Sequence, residues 1–441
     1  MAQIDINRIK DIGVVGAGGA GFPTHVKLNC QAEIVIVNGA ECEPLLRVDQ
    51  QLMDFHSEDV VNGLKVAMKL TGAKKGYIGL KSKYKDAIHK LTEAIQNESS
   101  IELKIIKDFY PAGDEQQMIY EVTNRVVPLM GLPLDVGCVV INAQTAVNIS
   151  RNVPVTERVI TVTGAVKKPQ TFIAPVGTSF SELIKACDGP SDLENYTLLV
   201  GGPMMGYIEK DWSSFVTKLT GGLIILPKIH SLILKKTRKA ETDLQLTKAV
   251  CCQCTYCTNL CPRNILGLNT EPHKVMRGLA NEDPSALGTI SSVVSCCNCN
   301  LCSLYACPMG LNPGKITTMV KQSLLKLGAK TEKIVPEEVD PLRDSKKVPT
   351  KRLIANIDLT EYDVAAPLNE NIFNTKIVRI LLKQHIGVPA SPVVKMGEIV
   401  SKGTLIATCH EKLGANIHAS INGKVTDITT SYIEIRALEG F

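Results

Sequence analysis

Cys251-Cys-Gln-Cys254-Thr-Tyr-Cys257-Thr-Asn-Leu-Cys261-Pro262, repeated in outline as Cys296-Cys-Asn-Cys299-Asn-Leu-Cys302-Ser-Leu-Tyr-Ala-Cys307-Pro308, decides how this chain is read. Each half sets three cysteines at two-residue intervals and a fourth immediately before a proline. Thiolates so spaced let a short loop wrap a [4Fe-4S] cubane at three corners, while the trailing cysteine crosses to the neighbouring cluster. One cluster is expected on Cys251, Cys254, Cys257 and Cys307, and a second on Cys296, Cys299, Cys302 and Cys261. Zinc favours two separated Cys-x2-Cys pairs that close one tetrahedron, which is not this pattern. The second motif has four residues rather than three before its last cysteine. Cys252 and Cys297 stand beside ligands but break the spacing, and the isolated Cys30, Cys42, Cys138, Cys187 and Cys409 read as small buried apolar groups.

The chain around this block has 441 residues, enough for three or four domains with separate cores. Its 44% hydrophobic and 21% charged residues are globular values, and 4% aromatics with a net charge of +5 argue against a base-stacking nucleic-acid surface. No apolar run reaches the roughly 18 residues of a spanning helix, and no signal-peptide pattern opens the chain. The expectation is a cytoplasmic protein, and in that reducing compartment clustered cysteines point to metal rather than to disulfides.

From Gly13 to about Asn148, apolar runs at Ile34 to Val37, Gly76 to Leu80 and Val136 to Ile141 alternate with helix-like stretches at Ser57 to Leu70 and Tyr84 to Ile95. That alternation predicts an α/β domain with a largely parallel sheet. Pro154 to about Tyr207 has a β run broken at Gly164, then a helix near Ser179 to Ala186, as in a small α+β module. Ile229 to Ala249 is Lys-rich with a helical pattern and leads into the cysteines. Gly328 to Thr350 is charged and proline-containing and reads as linker. From Lys376 onward, short strands spaced by glycines predict a small barrel or sandwich.

Gly16-Ala-Gly18-Gly19-Ala-Gly21 after the apolar Ile12 to Val15, with Glu41 twenty residues beyond Gly21, matches a dinucleotide-binding fingerprint. Phe22-Pro23-Thr24 follows at once, however, and about ten residues before the next strand leave little room for the usual helix. This loop with Lys27, and Asn38-Gly-Ala-Glu41-Cys-Glu43-Pro44 after it, resembles the FMN-binding subunits of respiratory complex I and the RnfC subunits of Rnf complexes. The resemblance continues at Pro111-Ala-Gly113-Asp114-Glu115 and at Asn142-Ala-Gln-Thr145. It implies that Gly16, Gly18, Gly19, Gly21 and Lys27 hold the FMN phosphate, as backbone amides near a helix start suit an anion. It also implies that Asn38, Glu41 and Glu43 lie near the isoalloxazine and nicotinamide, with Gly113, Glu115, Asn142 and Thr145 completing the cofactor site.

The resemblance covers almost the whole chain and implies an α/β multidomain fold: an FMN/NADH-binding α/β domain over 1–150, a β-grasp (SLBB-like) module over 151–228, a helical two-[4Fe-4S] ferredoxin-like domain over 229–327, a linker over 328–374 and a barrel-sandwich hybrid domain over 375–441. In RnfC the barrel comes first. Its position here, with Cys251-Cys252, Pro272-His273 and Arg352-Leu-Ile-Ala, resembles the cobalamin reductase family of the propanediol-utilisation microcompartment. The implied activity is electron transfer from NADH through FMN and two [4Fe-4S] clusters to cobalamin. No catalytic side chain is expected, because the cofactors carry the chemistry. Implied partners are NADH, cobalamin or a corrinoid adenosyltransferase and a microcompartment shell protein, with localisation inside the microcompartment. The alternatives are an Rnf-like or microcompartment adaptor feeding another acceptor, and a dinucleotide-fold dehydrogenase with clusters as structural staples.

Overall fold

The computed structural model describes residues 4–190, 192–411 and 413–438. Val- and Ile-rich segments such as Ile34–Asn38 and Cys138–Asn142 have no polar face, so they are stable only in a sheet covered on both sides. They form one, wholly parallel, in the order Ile101–Ile106, Lys75–Lys81, Ile34–Asn38, Cys138–Asn142. One face packs on the helices Ser57–Thr71 and Ala143–Arg151 through Leu64, Ala67, Ala146 and Ile149, and the other on Glu115–Thr123 through Met118 and Ile119. Gly63 lets the first two helices touch, since a Cβ there would stand 2.0 Å from the Ala146 carbonyl oxygen. The edge strand Ile101–Ile106 is the one that the sequence pattern passes over.

Two further sheets follow. The second has six strands in the order Leu368–Ile372, Gln170–Pro175, Glu157–Gly164, Gly222–Pro227, Tyr196–Val200, Tyr207–Glu209, with the helix Phe180–Ala186 packed on it through Phe180, Leu183 and Ile184. Helices Ser231–Thr237 and Ala240–Val250 lead into the cysteine block as the pattern predicts. The tail forms a four-stranded and a three-stranded antiparallel sheet around Val378, Ile380, Ile406, Val425 and Ile435.

The 328–374 stretch, read as linker from its charge and proline, contributes structure to other modules. Val348–Pro349 pairs with Phe109–Tyr110, and Leu368–Ile372 extends the six-stranded sheet as its edge strand. These segments are too short and too polar to show a period, and their partners lie far away in sequence. Lys218, from the six-stranded module, donates to the carbonyl of Gly13 at 2.7 Å and to that of Asn416 at 2.8 Å, so one buried ammonium ties three modules together. No helix among the described residues is long and apolar enough to cross a membrane.

Candidate cofactor and cluster sites

In an open α/β sheet, ligands sit beyond the carboxyl ends of the strands, where the strand order reverses. Here the reversal falls between Ile34–Asn38 and Cys138–Asn142, whose last residues, Asn38 and Asn142, are register partners. Asn142 caps the helix Ala143–Arg151 by accepting from the Gln144 amide at 2.9 Å, and it donates to both carboxylate oxygens of buried Asp49. Thr145 Oγ1 accepts from the Ala17 amide at 2.9 Å, pinning the glycine loop to that helix start. Asn38 donates to the Gly113 carbonyl at 2.8 Å. The structure thus brings the Gly16–Gly21 loop, Asn38, Gly113, Asn142 and Thr145 to one edge.

The loop crest, Gly18 to Ala20, is exposed. Gly19 has φ +74° and would meet nothing within 4 Å if given a Cβ, while a Cβ on Gly18 would lie in ordinary contact, 3.6 Å, with Asn142. The space over the crest is therefore open, and amide-rich backbone at a helix start suits a phosphate there. The dinucleotide-fold alternative fails locally: the helix after the loop, Thr24–Leu28, has five residues, and before the loop only an isolated bridge from Val15 to Pro23 forms.

The charged candidates divide. Lys27 donates to Glu115 at 2.9 Å and to the Val140 carbonyl at 2.7 Å, both side chains being about one third exposed or more. Glu41 lies recessed but still partly exposed. Burial first, then the charges of Asp49 and Glu43, push its carboxyl up to about 8. Glu43, expected near the nicotinamide, has both carboxylate oxygens engaged. Its two oxygens accept from the Met204 and Met205 amides at 2.8 Å each, so it anchors the Gly201–Gly206 loop of the six-stranded module.

The cysteines form two sets, and the fourth member of each comes from the other motif. Burial, then Cys307, Cys254 and Cys251, raise the Cys257 thiol to about 12, and these four line one hollow with His273, Met276 and Met309. Cys302 is raised by burial, then by Cys296 and Cys261, with Cys299 beside them. A crossover of the trailing cysteines requires this grouping, with Cys297 also beside Cys299 and Cys261. Thiols so buried become thiolates only when metal binds. No three His, Cys, Asp or Glu residues close on a single ion among the described residues.

Both loops share one backbone trace. Gln253 and Thr255 have φ of 56° and 60°, and their counterparts Asn298 and Asn300 have 57° each. Left-handed conformations at non-glycine residues are costly and persist only where the surrounding structure over-determines them, and here they recur at matching positions of both loops. The extra residue before Cys307 is absorbed in a π-helical turn, Cys302–Ala306, a widening often found at functional sites. Cys252 is exposed, whereas Cys297 hydrogen-bonds Cys299 and lies between the second set and the flavin-loop domain.

That second set is fastened to the flavin-loop domain by groups that sequence reasoning missed. Tyr110 donates to the Cys299 carbonyl at 2.6 Å, Gln117 to that of Pro262, and Arg263 grips Asp114 at 2.7 and 2.9 Å. Asp114 also caps the helix Glu115–Thr123. The one sequence signal was the position of Arg263 directly after Cys261-Pro262. Asp49, Tyr110 and Arg158 gave none, since no motif or spacing singles them out.

Family models match along the chain as the Nuo51 FMN-binding domain over residues 9–151, the SLBB domain over 159–208, the 4Fe-4S dicluster domain over 250–312 and the RnfC barrel sandwich hybrid domain over 363–437. The cobalamin reductase PduS of Citrobacter freundii is 42% identical over 98% of this chain and 96% of its own length. That of Salmonella typhimurium is 42% identical over 97% and 95%. A component of the Na(+)-translocating ferredoxin:NAD(+) oxidoreductase complex of Acetobacterium woodii is 39% identical over 61% of each chain.

Proposed function

This chain belongs to the cobalamin reductase PduS family, and we propose that it takes a hydride from NADH and hands the two electrons singly to cob(III)alamin or cob(II)alamin. FMN supplies the conversion from a two-electron to a one-electron donor, and two [4Fe-4S] clusters supply single-electron carriage. The Gly16–Gly21 loop, Asn38, Gly113, Asn142 and Thr145 would hold the flavin, with Lys27 and Glu115 at its side and Glu41 toward the nicotinamide.

The observation that carries this reading is the fastening of the Cys261, Cys296, Cys299 and Cys302 set to the flavin-loop domain through Tyr110, Gln117 and Arg263. In the other motif, Cys252 and Cys254 lie exposed beside the exposed Tyr256 and Met309. Electrons therefore enter at the buried set and leave at the exposed one, where the corrinoid, free or on an adenosyltransferase, docks. Residence in a microcompartment against a shell protein belongs to the same proposal. Anaerobic protein washed free of unbound flavin should reduce a corrinoid with NADH. Flavin bleaching by NADH with no corrinoid reduction would make the chain an adaptor for a different acceptor.

A further inference from the structure

We propose that Arg158, in the six-stranded module, is a direct ligand of the FMN phosphate, so that the cofactor is held by two modules rather than one. The inference rests on the FMN reading above. Arg158 is 5% exposed on the strand Glu157–Gly164. Its Nε donates to the Thr220 carbonyl at 3.0 Å, and its Nη2 donates to the Ala17 carbonyl at 3.0 Å, within the glycine loop. Its Nη1 is buried with no hydrogen-bond partner.

A guanidinium is planar and keeps its charge, and leaving one of its donors dry and unpaired costs free energy comparable to a lost hydrogen bond or more. Buried donors in folded proteins nearly always have a partner, and an exception calls for one. The acidic neighbours do not provide it: Asp49 and Glu41 act on Arg158 through charge, and neither hydrogen-bonds it. An acceptor that arrives with a ligand would satisfy it. The residue touched by the other end of the same guanidinium is Ala17, whose amide is tied to Thr145 in the first turn of the Ala143–Arg151 helix. The ligand group that suits a glycine loop at a helix start is a phosphate, and arginine is the side chain whose fork matches it.

The test uses the full chain with its clusters in place and its flavin removed, titrated anaerobically with FMN and with riboflavin, which lacks the phosphate. Arg158→Met should weaken FMN roughly 10- to 100-fold, the range for losing a charged hydrogen bond, and leave riboflavin within about threefold. Unchanged FMN affinity, or an equal loss for both ligands, overturns the inference and leaves Arg158 as a tie between modules. Should that variant fail to fold, Arg158→Lys carries the test. It should weaken FMN but not riboflavin and shift the 31P resonance of bound FMN, and an unshifted resonance at wild-type affinity overturns the inference. Failure of the wild-type chain to bind FMN would instead overturn the underlying cofactor reading.

Discussion

Replacing Asp114 with alanine removes the partner of a buried cation at the junction between the flavin-loop domain and the clusters. Arg263 and Asp114 side chains are 9% and 12% exposed, and the guanidinium also donates to Gln116. Breaking such a pair from one side costs about 3–5 kcal/mol, because the remaining charge stays buried. The same carboxylate accepts from the Gln116 and Gln117 amides, and losing this cap adds about 1 kcal/mol. With a denaturant slope of about 3 kcal/mol per molar urea, the transition should move down by roughly 1–2 M. A chain of several modules with bound cofactors need not unfold in one step, so cluster absorbance and flavin fluorescence are followed separately under anaerobic conditions. The cluster signal should be lost early. Asp114→Ala combined with Arg263→Met removes the stranded charge and should be more stable than Asp114→Ala alone. A shift below about 1 kcal/mol, or strictly additive losses in the double variant, would refute the reasoning.

Three further outcomes are expected. Cys307→Ala should damage the cluster of Cys251, Cys254 and Cys257 and spare the other, read by paramagnetic resonance, and the reverse pattern would disprove the crossover. Gly18→Val should leave iron content intact and abolish FMN retention, since a Cβ there lies only in ordinary contact with the Asn142 side chain and the branched group would occupy the space over the exposed loop crest, and a variant with normal flavin would make the loop a mere turn. Glu41, held near 8 against an ordinary 4.5, keeps in the folded state a proton that the unfolded chain has lost between those pH values, so stability falls as pH rises through that window. Glu41→Gln should flatten that slope and any step near pH 8 in flavin reduction by NADH, and an unchanged profile would place the titrating group elsewhere.

The dicluster block was legible because thiolate spacing is set by the cofactor and is local in sequence. The parallel sheet was legible for a similar reason: doubly covered strands such as Ile34–Asn38 must be apolar throughout. What stayed hidden depended on long-range placement. Glu43 sits in a flavin-family motif, yet its two oxygens serve a loop some 160 residues away, and no pattern around Glu43 announces that. Leu368–Ile372 alternates too weakly to declare a strand and gains its order from Gln170–Pro175. Arg158 reads as the polar start of a β run, and only the fold brings it to Ala17.

The central claim is that electrons reach the corrinoid through the cysteine-bound clusters and not directly from the flavin. The most direct measurement compares wild type with a cluster-free chain that retains FMN, both washed of unbound flavin, mixed anaerobically with NADH and a corrinoid in a stopped-flow cell. Flavin bleaching should proceed in both, while corrinoid reduction should collapse in the cluster-free chain. Corrinoid reduction at the wild-type rate without clusters would contradict the account.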